Sequence, residues 1–158
     1  MRGFVTPVFA VVVVAFLASV FPQRALAADA PKARPKDRVV AMYFHRTQRC
    51  PTCLKMGSYS EEAVKTGFAK QLKEGTVEFY YVDFQDEKNA ALTKAYRISG
   101  PALIVAKVVD NKVARIGDLK DIWTKVREKK AFLKYVQDNV AAFCKPAAET
   151  AATARQTR

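Results

Sequence analysis

The sequence predicts an α/β fold with a four-stranded mixed sheet and helices on both faces. One sign is the continuous apolar run from Asp37 to His45, which is typical of a strand buried on both faces. A second is a Cys-Pro-Thr-Cys motif at 50–53, between that run and an amphipathic segment. A third is the element order β-α-β-α-β-β-α. Strands separated by helices are expected to run parallel, and a tight hairpin adds an antiparallel edge.

The first helix is predicted to follow the motif and to run to Lys73. Its inward face is carried by apolar residues four apart, Val64, Phe68 and Leu72. Ser58 and Glu61 have the spacing of a capping box, which predicts a restart or kink near Gly57. Gly75 is expected to end the helix.

The later elements are predicted from turn residues and apolar patterning. In chain order they are a strand over Thr76–Phe84, a helix over Asp86–Tyr96, a strand over Ala102–Val109, a hairpin turn at Asp110-Asn111, a strand over Lys112–Ile116 and a helical region from Asp118 to about Cys144 in two pieces. Gly117 is expected to break the chain after the last strand. The apolar face of the last helical region comprises Leu119, Ile122, Trp123, Val126, Phe132, Val136, Val140 and Phe143.

Composition describes a globular, basic, single-domain chain. It has 158 residues, 27 Lys and Arg against 15 Asp and Glu, a net charge of +12 and 50 % hydrophobic residues. These values exclude a disordered or fibrous protein. The basic residues crowd the last helix, where such runs are usually solvated. No nucleic-acid-binding motif is present, so we expect no nucleic-acid partner, and we expect a monomer.

The N-terminal residues have the pattern of an export signal. Arg2 precedes the apolar run Val8 to Val20, and Ala25-Leu26-Ala27 places small residues where a signal peptidase cleaves. We therefore predict a cleavable signal at 1–27, a linker at 28–36, a domain at 37–144 and a flexible tail at 145–158. The alternative is an uncleaved anchor over Phe4 to Phe21. Cleavage predicts a periplasmic or secreted domain without stable membrane insertion, whose thiols meet an oxidising compartment.

The motif at 50–53 carries the chemistry. Two cysteines at this spacing suit half of a zinc site, a copper site or a redox pair. At a helix N-terminus the dipole favours a thiolate on Cys50, and Arg46 and Arg49 add positive charge. A thiolate that forms easily is also a good leaving group. The pattern therefore favours disulfide exchange, with Cys50 attacking and Cys53 resolving.

The chain resembles the thioredoxin superfamily over about 37–144. The resemblance is carried by the motif at 50–53 after the first strand and by Gly100-Pro101-Ala102-Leu103 opening the third. It implies a three-layer sandwich. It also implies that Pro101 is a cis proline beside the redox-active disulfide, and that Gly100 and Pro101 shape the groove for the substrate chain. The alternative for Pro101 is a trans turn that opens a strand.

A closer resemblance is to a small bacterial thioredoxin-like family named nitrophenyl-compound nitroreductase subunit. The matching residues are Tyr43-Phe44-His45, Thr47, Arg49-Cys50, Thr52-Cys53, Tyr59, Glu62, Ala63 and Phe68. Nothing in the chain resembles a flavin or dinucleotide site. Ordinary thioredoxins have an aromatic residue where this chain has Arg49, and a buried acid where it has Phe44. His45 is expected to point to the face opposite Phe44.

We therefore expect a thiol–disulfide oxidoreductase that exchanges a Cys50–Cys53 disulfide with protein thiols or disulfides. It would need no other cofactor and no metal, and Arg49 would tune the Cys50 thiolate. One alternative is copper(I) binding with two ligands, Cys50 and Cys53, or with three, the third being His45. A second is a zinc site that adds Cys144 to those three. A third is a thioredoxin-like adaptor without catalysis. Otherwise Cys144 is expected to be packed and unreactive, rather than to form an intermolecular disulfide.

Overall fold

A computed structural model describes residues 33–145, which form an α/β domain around a four-stranded mixed sheet. The elements are β1 (Arg38–His45), α1 (Pro51–Gly67), α2 (Ala69–Glu74), β2 (Val77–Asp83), a 3₁₀ turn (Glu87–Asn89), α3 (Ala90–Ala95), β3 (Ala102–Val109), β4 (Lys112–Asp118), α4 (Ile122–Lys125) and α5 (Lys129–Cys144). The predicted signal peptide, most of the linker and nearly all of the tail lie outside the described residues. Between residues 33 and 145, no helix has the length and apolarity to cross a membrane.

The sheet order is β2-β1-β3-β4, so β1 is a central strand, which fits its burial on both faces. β1 pairs in parallel with β2, as predicted. The prediction that β3 also runs parallel to β1 is wrong, because the two strands pair antiparallel, with Phe44 opposite Ala102. β2 ends beside His45 and β3 begins beside Phe44, so the segment between them, which holds a 3₁₀ turn and the six-residue α3, returns to the same end of the sheet. A parallel β3 would have to begin at the other end, about 26 Å away along an eight-residue strand.

Each face of the sheet carries its own apolar core. On one face, β1 and β3 pack against α1, α4 and α5 through Ala41, Tyr43, Leu103, Val105, Met56, Val64, Ile122, Phe132, Val136 and Val140. On the other face, α3 and the segment after it cover the sheet through Met42, Phe44, Val82, Ile104, Ala106, Leu92, Tyr96 and Ile98. Helices therefore contact both faces, with the longer ones on the Tyr43 side.

The two predicted breaks at glycines are wrong, because both glycines lie inside regular elements. α1 continues through Gly57 and ends at Gly67, and Phe68 (φ −134°, ψ 33°) separates it from α2. Gly117 lies within β4. A Cβ atom on Gly57 would lie 2.8 Å from the Tyr81 ring, and one on Gly117 would lie 2.8 Å from the Phe143 ring. Both glycines therefore mark close packing of an aromatic ring rather than a break.

The turns and the last helical region mostly follow the prediction. Asp110 and Asn111 have φ values of 49° and 61°, as a two-residue hairpin of this composition requires. Gly75 ends α2 with φ 75°. The last helical region does consist of two pieces, α4 and α5. However, Trp123 is 47 % exposed and does not belong to the buried face.

Candidate active site

The two cysteines of the motif lie at the start of α1, as predicted. Cys50 is the N-cap residue, with extended backbone angles, and its Sγ accepts a hydrogen bond from the Cys53 backbone N–H at 3.3 Å. Pro51 is the first helical residue, where its missing N–H costs no hydrogen bond. The two Sγ atoms are 2.8 Å apart, and both cysteines are free thiols. This separation requires little movement to form or break a disulfide.

The two thiols differ in exposure and in acidity. Cys50 is exposed, whereas Cys53 is only 8 % exposed. The pKa of Cys50 is lowered, chiefly by the hydrogen bond from the Cys53 thiol and then by backbone N–H groups at the helix start. The pKa of Cys53 is raised, chiefly by desolvation and then by its hydrogen bond and charge interaction with Cys50. Cys50 is therefore the more accessible and the more acidic of the two thiols, and Cys53 is the more sheltered and the less acidic.

A buried tyrosine ties the motif to the sheet. The Tyr43 hydroxyl of β1 donates a 2.8 Å hydrogen bond to the Cys53 carbonyl oxygen, and the Tyr43 side chain is fully buried. Burial, followed by the nearby cysteines, raises the pKa of Tyr43, so the hydroxyl remains a donor. The absent side chain of Gly57 leaves room for the Tyr43 ring beside α1. Tyr43 thus fixes the first turn of α1 against the central strand.

Arg49 lies in a second cluster, around Tyr81 of β2. Its guanidinium carbon is 5.4 Å from the centre of the Tyr81 ring, within cation–π range. The Tyr81 hydroxyl donates to Glu61 at 3.1 Å, and burial together with that carboxylate raises the Tyr81 pKa to about 12. These contacts place Arg49 on an aromatic surface beside the motif. Its influence on the Cys50 thiolate remains a prediction.

Sequence reasoning missed Tyr43, Tyr81 and Glu61. The two tyrosines are partners in the parallel register of β1 and β2, and their rings meet edge to face with centroids 6.0 Å apart. The aromatic content of both strands indicated a core. Nothing in the linear sequence indicated that these particular rings meet under the cysteine motif, because their contact depends on the strand register.

Gly100 and Pro101 precede β3 at the same end of the sheet as the motif. Ala102 pairs with Phe44, and Phe44 precedes the last residue of β1. The expectation that Pro101 is cis is wrong, because residues 33–145 contain no cis peptide bond. A trans proline just before a strand removes no hydrogen bond from the sheet, because its missing N–H lies outside the ladder. Both residues line a groove of about 390 Å³ between the α3–β3 loop and α4.

His45 does point to the face opposite Phe44. Its ring is 7 % exposed, and its centroid lies 6.0 Å from that of Tyr81. Nδ1 donates to the Arg46 carbonyl oxygen at 2.9 Å. Within residues 33–145 no three His, Cys, Asp or Glu side chains lie close enough together to hold a metal ion. The three-ligand copper site that includes His45 is therefore not assembled here.

Cys144 lies at the other end of the domain. The adjacent residue, Lys145, accepts a hydrogen bond at its carbonyl oxygen from Nζ of Lys107, whose β3 position pairs with Val39 near the start of β1. The six residue-to-residue steps from Val39 to His45 span about 20 Å. The zinc set of His45 and three cysteines is thus excluded by topology. Cys144 is also exposed rather than packed, although desolvation of the thiolate raises its pKa.

No protein-family model matches the chain, and no curated protein matches it either.

The unequal acidity of the thiols predicts a pH profile. We expect the alkylation of Cys50 by iodoacetamide, followed by mass mapping, to have its midpoint below the value of about 8.5 for an unperturbed cysteine. Only the thiolate reacts, and it is lost as the pH falls through the pKa. In Cys53→Ala the main hydrogen-bond donor is absent, so the midpoint should rise, whereas Cys53→Ser retains a hydroxyl donor. Cys144 should titrate above 8.5 in the same samples. An unchanged midpoint in Cys53→Ala would refute the Cys53 hydrogen bond as the cause of the lowered Cys50 pKa.

Proposed function

We propose that the chain is a thioredoxin-like thiol–disulfide oxidoreductase that acts on protein thiols or disulfides. The observation that carries the proposal is the pairing of an exposed thiol of lowered pKa with a sheltered thiol of raised pKa, 2.8 Å apart at a helix N-terminus. A nucleophile must be accessible and ionised, and a resolving thiol must be close to it. The motif offers an exposed thiol of lowered pKa with a second thiol beside it, which supports the proposal.

The exchange proceeds in two balanced steps. The Cys50 thiolate attacks one sulfur of the partner's disulfide, that S–S bond breaks, and the departing partner thiolate takes up a proton. Cys53 then loses its proton and attacks Cys50 Sγ, which breaks the mixed disulfide and releases the partner as a dithiol. The cysteine pair is oxidised by two electrons and the partner is reduced by two. In the reverse direction, the Cys50–Cys53 disulfide oxidises a partner dithiol through the same intermediate.

The surrounding residues have defined parts in this proposal. Arg49 supplies positive charge near Cys50, and Gly100 and Pro101 border the groove that receives the partner chain. The Tyr43 hydroxyl donates a hydrogen bond to the Cys53 carbonyl oxygen and so holds the helical turn that contains Cys53. We further propose that the protein acts outside the cytoplasm as a monomer, following the export signal expected at 1–27. In an oxidising compartment, proteins carry disulfides with which such a cysteine pair can exchange.

A second candidate function is two-coordinate copper(I) binding by Cys50 and Cys53. It is favoured by the closeness of two soft sulfur ligands, one of them exposed. His45 is not part of this version, because within residues 33–145 it does not form a three-ligand group with the two cysteines. Copper bound at one equivalent after anaerobic loading, and lost in Cys53→Ser, would support it.

The reduction potential of the cysteine pair tests the proposal. The protein is equilibrated in glutathione buffers, trapped with a thiol reagent and analysed by mass spectrometry. We expect one two-electron transition confined to Cys50 and Cys53. A value near about −120 to −180 mV would indicate an oxidant or isomerase, and one near about −270 mV a reductant supplied by a dithiol donor. If the pair forms no disulfide in any buffer, the proposal fails and copper(I) binding becomes the better explanation.

A further inference from the structure

β4 is a sheet edge that the described part of the chain leaves open. It pairs with β3 on one side and is the terminal strand of the sheet. Six of its seven residues are exposed, among them Ile116, which is 53 % exposed despite its apolar side chain. An edge strand presents unpaired N–H and C=O groups and is suited to pairing with another extended chain.

The pairing pattern identifies which backbone groups face outward. The Leu119 N–H donates to the Leu103 carbonyl at 2.9 Å, so this pair is a hydrogen-bonded one. In an antiparallel ladder such pairs alternate with pairs whose backbone groups point away from each other. Ile116 lies opposite Ala106, three residues before Leu119, and belongs to the second kind. Its N–H and C=O therefore point away from β3, toward the open side.

The open edge borders an apolar groove. The groove has a volume of about 390 Å³, and its apolar walls include Tyr96, Ile98, Pro101, Ile104, Ile116 and Trp123. Trp123 is 47 % exposed, which is unusual for the largest apolar side chain of a domain this size. A strand paired with Ile116 would place alternate side chains over this groove, because successive side chains in a strand point to opposite faces.

The charges near the edge select the kind of partner. Two cations, Arg97 and Lys120, line the groove, and two more, Lys112 and Arg115, lie on β4. The carboxylate among the residues that line the groove is that of Asp118. Facing copies of this edge would bring these cations together, which disfavours self-association through β4. An acidic segment would instead be attracted.

We propose that β4 and the adjoining groove dock an extended polypeptide segment in which apolar and acidic residues alternate. The segment adds a strand beside β4, exchanges hydrogen bonds with the Ile116 backbone and covers Ile116 and Trp123 with its apolar side chains. Docking requires neither thiol. Because Gly100 and Pro101 border this same groove, the docked segment would belong to the partner of the proposed exchange, and in that respect the inference rests on the proposed function. Peptide binding and disulfide exchange are measured separately, so the failure of one is distinguishable from the failure of the other.

The test uses the chain's only tryptophan as the reporter. The purified protein is titrated with an acetylated, amidated peptide of sequence Glu-Val-Glu-Ile-Glu-Val-Glu, in a reducing buffer. We expect a saturable blue shift of Trp123 emission and a shift of the Ile116 amide signal in NMR. Affinity should fall as salt rises, and a peptide with Lys in place of Glu should bind at least tenfold more weakly.

Variants separate strand pairing from simple apolar contact. Ile116→Ala removes the apolar side chain but keeps the outward N–H. Ile116→Pro removes both, a change that edge strands tolerate, and should weaken binding at least tenfold relative to the parent and more than Ile116→Ala does. If the proline variant does not fold, Ile116→Glu keeps the backbone and should weaken binding of the acidic peptide as strongly. Tyr80→Thr, which removes an exposed aromatic from the opposite edge strand β2, should bind as the parent does.

Three results of the peptide titrations would overturn the inference. They are the absence of saturable binding at millimolar peptide, equal binding of the Lys and Glu peptides, and equal binding by Ile116→Pro and the parent. Dimerisation of the protein that Ile116→Pro abolishes would also overturn it, because the occupant would then be a second copy. A variant with both Cys50 and Cys53 replaced by Ser should bind the peptide unchanged.

Discussion

Cys50→Ser is expected to reduce disulfide exchange to the uncatalysed background. A serine hydroxyl is not ionised near neutral pH and does not attack a disulfide, so the first step is lost. In Cys53→Ser the first attack survives, but the mixed disulfide on Cys50 cannot be resolved and should accumulate. The measurements are the rate of reduction of a fluorogenic disulfide in the presence of a dithiol donor, and the intact mass of each variant after it meets substrate.

Cys144→Ser is the matched control for these variants. It makes the same atomic change in an exposed cysteine near the far end of the sheet, and its exchange rate should equal that of the parent. Parental activity in Cys50→Ser would refute the assignment of the nucleophile. Loss of activity in Cys144→Ser would show that the reacting pair includes the third cysteine.

Gly57→Ala is expected to destabilise the domain by about 1–3 kcal/mol, as overpacking of a core does. The new Cβ would lie 2.8 Å from the Tyr81 ring and 2.9 Å from the Tyr43 ring, and Tyr43 is fully buried and held by its bond to Cys53. The gain in helix propensity, about 1 kcal/mol, is too small to reverse the sign. Denaturant unfolding followed by circular dichroism measures the difference.

Gly100→Ala provides the control for the glycine substitution. A Cβ at Gly100 meets no atom within 4 Å, so the free energy of unfolding should stay within about 0.5 kcal/mol of the parent. Equal destabilisation by both substitutions would argue against the packing explanation. A stabilised Gly57→Ala would mean that the two tyrosine rings move aside at little cost.

The sequence predicted local structure well where local residues determine it. The motif at 50–53 begins a helix because proline and an N-capping side chain act within a few residues. The hairpin at Asp110-Asn111 forms because both residues tolerate positive φ. The bounds of β3 also match the prediction, since an apolar run between a proline and a turn is a local signal.

The errors arose where a distant residue decides the structure. Gly57 and Gly117 were interpreted as breaks because their ring partners, Tyr81 and Phe143, are far away in the sequence. The direction of β3 depends on the end of the sheet to which the segment after β2 returns, and that segment holds a 3₁₀ turn and a short α3 where one longer helix was predicted. The Tyr43 bond to Cys53 and the position of Arg49 over Tyr81 both depend on how β1, α1 and β2 pack, which no local pattern encodes.

The central position of β1 has a consequence for how the chain folds. β1 is the first strand of the described domain, yet both of its partners come much later, since Val39 pairs with Val77 in β2 and with Lys107 in β3. The entropy lost in closing such long loops must be met before strand pairing contributes any stabilising free energy. Folding is therefore slow. Until β3 has been made, one edge of an apolar strand stays open to other chains. A fragment that ends after β2 should therefore aggregate rather than fold, and the nascent chain would benefit from a chaperone that covers β1.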